Sequence, residues 1–401
     1  MGLYSFELSQ ELSGCGPEAR FLLEAMVLRA QRDTAGDSTV GVKTLAKELR
    51  LAEKLVRDAV AQLERAGMVV RQRRATKQRG RPAVLYEVAP AAMRESGKEE
   101  LVYGVNASLI VGLFVGAATA TVCGSSEQVG KEQTLTKGGR PAPPGAVGYL
   151  SACNRLLLAT LLAHADQFGV VVGVSRKNLC QLTGLDALSL KHRLQRLMEL
   201  ELILTSISGL SSSIFSRVKV DSVYFLNVMH PRLEGRCAKI WCQKGCPDVH
   251  VPTHNQILGP DGDKKRNIPA VRRFLSRAKE PDLNMLQCMV LRYASYVLSS
   301  HSVDVVSAGE PIDDDSLRKK IASDFQRPRG WELGDDSCDR DWAQVIDHFY
   351  ELAFKVARSF SQWINLSFDE VCLVPPDGRF QHILCLSMVE NHKGDCAGGQ
   401  A

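Results

Sequence analysis

The stretch VKTLAKELRLAEKLVRDAVAQLERAGMVVRQRRATKQRGRPAVLYEV, residues 42–88, decides how the chain is read. Leu45, Ala46, Leu49 and Leu51, then Leu55, Val56, Val60 and Leu63, fall at helical spacing in two short runs. Too few residues separate the runs for anything but a tight turn, so two helices meet at a sharp corner. Thr44 or a neighbour starts the first of them. Gly67 stands where a helix end takes a left-handed residue, and Met68, Val69 and Val70 begin an extended run. A basic loop follows, and Val84, Tyr86 and Val88 alternate back as a second strand. Upstream, Phe21, Leu22, Ala25, Met26 and Leu28 line one face of a helix over residues 17–32, with Pro17 acceptable in its first turn.

Charge is concentrated in the same place. Residues 41–81 hold twelve Lys or Arg against four acids, Glu48, Glu53, Asp58 and Glu64, on a chain whose total is only +5. Arg71, Arg73, Arg74, Lys77, Arg79 and Arg81 follow one another from residue 71 to 81 with no acid among them. A strip of this kind laid along phosphates releases counterions, which makes affinity steeply salt-dependent. A flexible arginine-rich tip also suits a narrow minor groove.

The sequence Leu63-Glu64-Arg65-Ala66-Gly67-Met68-Val69 leaving the second helix, with Arg79-Gly80-Arg81-Pro82 and Tyr86 in the loop and return strand, resembles the winged helix-turn-helix DNA-binding domains of bacterial transcription regulators. The resemblance implies that the basic hairpin is a wing and that the second helix enters a major groove. Leu55, Val56, Ala59, Val60 and Leu63 must then face the core, which leaves Lys54 and Arg57 outward as candidates for base or phosphate contact. Lys43, at the start of the preceding helix, lies near the phosphates in such a domain.

At 401 residues, with 45% hydrophobic and 24% charged residues, the chain has the composition of a globular protein of two or three domains. Its twelve cysteines are scattered, and MGLYSFELSQELSG carries acids rather than a basic and then apolar leader. The expected location is the cytoplasm, at the nucleoid, with reduced thiols. Phe6 stands where a myristoylation signal needs Ser or Thr.

Residues 93–150 join two halves. Leu101 to Cys123 carries no charge and has the length of a bilayer span, with Gly112 and Gly116 at the spacing of paired membrane helices. Asn106, Ser108 and three glycines argue for a buried element between domains, and so does the second DNA-binding-like segment that follows. Residues 124–147, rich in Gly, Pro, Ser and Lys, read as a linker.

Residues 151–229 repeat the opening element. At an offset of 134, Leu45, Leu51, Val56, Val60, Leu63, Met68 and Val69 lie over Leu179, Leu185, Leu190, Leu194, Leu197, Leu202 and Ile203. A slip of one residue loses most of these matches, so the reading is a second winged helix. Its first helix is expected over Ala152 to Asp166, with Ser175 as the N-cap of the next and wing strands at Leu202–Ser206 and Val218–Leu226. Glu201 replaces Gly67, and the presumed wing tip SGLSSSIFSR has one arginine. Lys191, His192 and Arg196 point outward from its second helix, where they serve DNA contact or leave the copy as a dimer surface or docking face.

Residues 231–401 resemble no family. Helices are expected at 269–278, 283–300 and Asp341–Leu366, and strands Glu370–Val374 and Phe380–Met388 flank the turn Pro375-Pro376-Asp377-Gly378. The acidic part at 309–341 reads as loop. Cys242, Cys246, His250 and His254 recur every four residues, but Pro247 and Pro252 prevent one helix from aligning them. The expectation is therefore reduced cysteines in a loop and no metal. Nucleophile, Walker, zincin and dinucleotide motifs are missing, and His230, His348 and His382 are isolated. No catalytic residue and no cofactor are expected.

The fold expected is mainly α with small β wings: tandem winged helix domains at 1–92 and 151–230, and an α+β domain over 231–401. The function expected is sequence-specific binding of double-stranded DNA by a transcription regulator, as a homodimer and without a membrane partner. Two alternatives remain: a replication initiator or partition protein of a plasmid or mobile element, and a membrane-tethered DNA-binding sensor.

Overall fold

The computed structural model describes residues 12–32, 39–74, 82–93, 103–115, 150–217, 219–230, 233, 240–243, 257, 269–301, 304–305, 311–331, 334–361, 370–376 and 384–388. The protein is mainly helical, with small antiparallel sheets, and divides into two compact units. Unit 1 comprises Met1–Leu204 and Leu226–Cys237, unit 2 Thr205–Phe225 and Ala238–Ala401.

Unit 1 opens with α1 (Pro17–Arg32), α2 (Val42–Leu49) and α3 (Glu53–Arg65). The hairpin β1 (Val69–Arg74) and β2 (Ala83–Val88) follows. Helix α2 starts at Val42 behind Gly41, two residues before Thr44. The corner after it is made by Arg50 in the left-handed region, φ 53°. In the hairpin Arg71 lies opposite Tyr86 and Arg73 opposite Val84, while Val40 forms an isolated β-bridge with Tyr86.

The apolar stretch at 101–123 contains the helix α4 (Ala107–Val115), preceded by a 3-10 turn at Gly104–Asn106. Among the described residues, no helix is long and apolar enough to cross a membrane. Phe114 of α4 stacks on Phe21 of α1 at 5.2 Å between ring centres.

The second copy holds α5 (Ala152–Ala163), β3 (Val170–Val171), α6 (Arg176–Thr183) and α7 (Ala187–Glu199). Helix α5 stops at Ala163, short of Asp166, because Asp166 turns to accept the N–H groups of Phe168 and Val170 at 2.9 Å. Ser175 caps α6 as expected, its hydroxyl accepting from the N–H of Asn178 at 3.1 Å. Strands β4 (Ile203–Ile207) and β7 (Val223–Leu226) follow, with the short pair β5 (Leu210–Ser211) and β6 (Lys219–Val220) between them in the chain.

The helices of the two copies, all within unit 1, are joined by buried arginines. Arg20 is the fourth residue of α1 and is 3% exposed; Arg155 is the fourth residue of α5 and is 1% exposed. Arg20 donates to the carbonyls of Gln181 (2.5 Å) and Leu182 (3.1 Å), in the last turn of α6. It also donates to Cys15 (3.1 Å) and Leu12 (2.7 Å). Arg155 donates to the carbonyl of Leu49 (2.9 Å), the last residue of α2, and to that of Leu113 (2.6 Å) in the last turn of α4. Its guanidinium lies 4.6 Å over the ring of Phe21. Each copy therefore satisfies orphan carbonyls at a helix end of the other. Asn106 does the same for α5, its amide reaching the carbonyls of Leu162, Ala165 and Asp166 at 3.2–3.3 Å.

Two backbone positions mark the equivalence. Gly67 (φ 71°) and Glu201 (φ 58°) both take the left-handed conformation after α3 and α7, so the exchange of glycine for glutamate between the copies kept the backbone shape. Gly184, in the corner after α6, has Arg20 against it: an added Cβ would lie 2.8 Å from Nε.

Unit 2 contains β8 (Ile240–Gln243), α8 (Pro269–Leu275), α9 (Glu280–Ser300), α10 (Asp315–Asp324), α11 (Asp336–Ser361), β9 (Glu370–Val374) and β10 (Leu384–Met388). The three strands form an antiparallel sheet in the order β8-β10-β9. The acidic part expected as loop holds α10 and the start of α11, because Asp314 caps α10 by accepting the N–H of Leu317 at 2.9 Å. Helix α11 begins at Asp336, five residues before the expected start, and of the strand expected over Phe380–Met388 the part Leu384–Met388 is β10, while residues 380–383 lie outside the described residues. Ser295 and Ser299 of α9 accept the N–H groups of Leu373 and Val371 at 2.9 Å, which covers the edge of β9. One helical turn and two strand residues advance by nearly the same length, so a pair of serines four apart meets alternate N–H groups. Phe215, Phe274, Phe325, Phe349 and two tryptophans, Trp331 and Trp342, form the aromatic core.

Replacing Arg155 by Met roughly keeps the volume but removes the donors to the Leu49 and Leu113 carbonyls. Urea unfolding followed by circular dichroism should show a loss of about 2–4 kcal/mol; an unchanged midpoint would show that the guanidinium holds nothing together. Glu201→Gly relieves a left-handed side chain and should gain about 0.5–1 kcal/mol, whereas Gly67→Ala should lose about 1 kcal/mol.

Candidate nucleic-acid interface

Helix α3 buries Val56, Ala59, Val60 and Leu63, half-buries Leu55, and leaves Lys54, Arg57, Asp58 and Ala61 exposed, as its apolar spacing requires. Arg57 lies 4.0 Å from Glu53, an exposed pair that holds neither side chain strongly. Lys43 is exposed on α2, and Arg71 and Arg73 are exposed on β1. Arg74 closes β1 opposite Ala83. Lys77, Arg79 and Arg81 lie outside the described residues.

The structure adds three cations to those expected. Lys47 is exposed on α2, Arg50 forms the corner between α2 and α3, and Arg65 is exposed in the last turn of α3. For Lys47 and Arg65 the helical phase alone leaves them outside the buried stripe, which was the available signal. One acid of the segment is also neutralised, because Glu48 pairs with Arg29 of α1 at 2.6 Å. Neither α2 nor α3 is capped by a side chain at its N-terminus, where Gly41 and Ala52 stand. Helix N-termini of this kind present N–H groups and a positive dipole end to anions.

The second copy differs in its helix caps and in its hairpin segment. Asp186 caps α7, accepting from the N–H and hydroxyl of Ser189 at 2.8 and 2.7 Å, bonds that hold its carboxyl below the ordinary range. Lys191, His192 and Arg196 are exposed, but Arg196 pairs with Glu199 at 3.0 Å. Arg193 is turned back to Ser151 and Asn154 at 3.3 and 3.5 Å. The presumed wing tip at 208–217 holds Ile214 and Phe215, 4% and 2% exposed. It is part of unit 2, tied in by the Ser216 N–H to the Asp324 carbonyl (3.0 Å) and by the Gln326 N–H to the Ile214 carbonyl (2.8 Å). A segment buried in this way is no longer a free wing.

Other titratable groups sit in cores. Burial, with Arg50 adding to it, pulls Arg155 down to about 10, so the cation persists at neutral pH. Burial pushes the Cys153 thiol up to about 12, helped by its bond to Glu18 at 3.0 Å, and burial does the same for Cys288. Thiols held this high are poor nucleophiles. Tyr293 donates to Asp324 at 3.0 Å, and burial holds its hydroxyl well above the ordinary value. In the pair His301–Asp314, 2.8 Å apart, burial raises the carboxyl, but bonds from His301 and the Leu317 N–H outweigh it and leave it low. Of the four cysteine and histidine residues at 242–254, Cys242 lies in β8 and the other three lie outside the described residues.

Compared with family models, curated proteins and solved structures, the chain gives no match in any of the three.

His348 is buried in α11 and its Nε2 meets the carbonyl of Ile257 at 2.9 Å. Burial lowers its pKa from 6.5, and the bond to Ile257 offsets this only in part. The unfolded chain therefore takes up the proton first as pH falls, and stability present above about pH 6.5 is lost below it. Between pH 7.5 and 5.5 the urea midpoint should drop, and His348→Gln should show a smaller drop; equal drops would remove His348 as a cause.

Proposed function

We propose that the chain is a sequence-specific double-stranded DNA-binding regulator of transcription, built on two winged helices in series. The observation that carries the proposal is the concentration of exposed cations on α3 and β1. Lys54 and Arg57 face outward from the second helix of a helix-turn-helix order, and Arg71 and Arg73 face outward from the hairpin that follows. In this reading α3 enters a major groove with Lys54 and Arg57 at base edges or phosphates. The hairpin, with Arg74, Lys77, Arg79 and Arg81, follows the phosphates beside it. Lys43, Lys47 and the uncapped starts of α2 and α3 take up flanking phosphates.

A second reading, a replication initiator or partition protein, is favoured by the helices of both copies, α1–α3 and α5–α7, falling in one compact unit. Direct repeats at an origin distinguish it from the regulator, whose sites overlap promoters.

Substitution of Arg71, Arg73, Arg74 and Lys77 by Ala should weaken binding to all duplexes alike. It should also flatten the dependence of log K on log salt by about 0.9 for each phosphate that is no longer neutralised. An unchanged slope would take the hairpin out of the interface. Arg57→Ala should instead narrow the gap between specific and random DNA by about 1–3 kcal/mol; equal losses on both would make Arg57 a phosphate ligand rather than a base reader.

A further inference from the structure

The two winged helices are an internal pair in which only the first reads DNA, we infer, so that one chain occupies one asymmetric DNA element. The inference rests on the DNA-binding reading above and adds which surface is used and what kind of site it fits.

The pairing is reciprocal in the sense that a two-fold axis imposes: residue i of one member meets j of the other, and j meets i. Arg20, fourth in α1, caps α6 of the second copy, and Arg155, fourth in α5, caps α2 of the first. Two separate subunits would use these helices to meet. Here they are already enclosed: Ala19 to Leu28 of α1 and Ala152 to Leu162 of α5 are buried at every consecutive position. At 3.6 residues per turn such runs leave no face for another chain.

The copies have diverged in what they expose. The first shows a basic hairpin, two uncapped helix starts and outward Lys54 and Arg57. In the second, the hairpin tip is buried at Ile214 and Phe215, the start of α7 is filled by its own Asp186, and Arg193 and Arg196 are engaged within the copy. Leu188, 65% exposed, sits in the first turn of α7, where a groove-reading helix presents polar groups to bases. The second copy thus buttresses the first, as a second subunit would, without contributing a second half-site. The DNA that fits is a short duplex element without internal two-fold symmetry.

The test uses the full chain and a duplex enriched from a random pool. Light scattering should find one chain per duplex, and the enriched motif should be non-palindromic. Lys191→Ala with His192→Ala and Arg196→Ala should change specific affinity by less than about threefold, whereas Lys54→Ala with Arg57→Ala should lower it at least tenfold. All five positions are exposed, and unchanged circular dichroism confirms folding of both variants. Two chains on a palindrome, or a triple variant that loses as much as the double, overturns this inference and leaves DNA binding standing. A pool that shows no enrichment overturns the DNA-binding reading itself, and this inference with it.

Discussion

Two buried guanidinium groups hold unit 1 together, and their chemistry explains why they are arginines. A helix end leaves carbonyl oxygens without intrahelical donors, and when buried they need partners from elsewhere in the chain or from ordered water. The guanidinium offers five N–H groups in a rigid plane and stays charged when desolvated. Arg155 thus serves Leu49 and Leu113 at once while its face rests on Phe21. A buried charge is costly unless hydrogen-bonded, so the pairing tolerates little displacement. The corner at Arg50 follows directly from Leu49, and the direction of α3 follows from that corner. The placement of the proposed reading helix therefore depends on a side chain about a hundred residues away in sequence.

The same constraint accounts for the divergence of the copies. Because the pair is covalently continuous, the two members need not present the same surface, and the second packs against different neighbours. Its hairpin tip became part of the aromatic core around Phe325 and Phe349. The stacked pair Phe325–Phe349 and the backbone bonds at Ser216 and Gln326 make that tip a structural member of unit 2.

Local elements were legible in the sequence because their signals are local. Apolar spacing located α1, α2, α3, α6, α7 and the long helices of unit 2, and the left-handed residue at Gly67 was readable from its place after Leu63. The repeat was readable because seven buried positions kept their register. What escaped depends on distant partners. Arg20 looks like any surface arginine at the edge of an apolar stripe, and its burial is decided by carbonyls at Gln181 and Leu182. The stretch at 101–123 has the composition of a membrane span, and only packing of Phe114 on Phe21 shows α4 to be a helix within unit 1. Helix α10 was hidden by its charge, since Lys320 with Asp324 and Lys319 with Asp315 make a polar helix with few apolar markers. Of the candidate interface, the cations were readable from charge alone, while the burial of the 208–217 segment was not, because Ile214 and Phe215 in a serine-rich stretch gave no indication of a partner.

The measurement that tests the central claim most directly is the map of where the protein sits on DNA in its native cell. The account predicts a small number of sharp peaks over promoters that share one sequence motif. Uniform or absent enrichment would contradict it, because a basic surface held in fixed register by the arginine pair would then have no sequence to read.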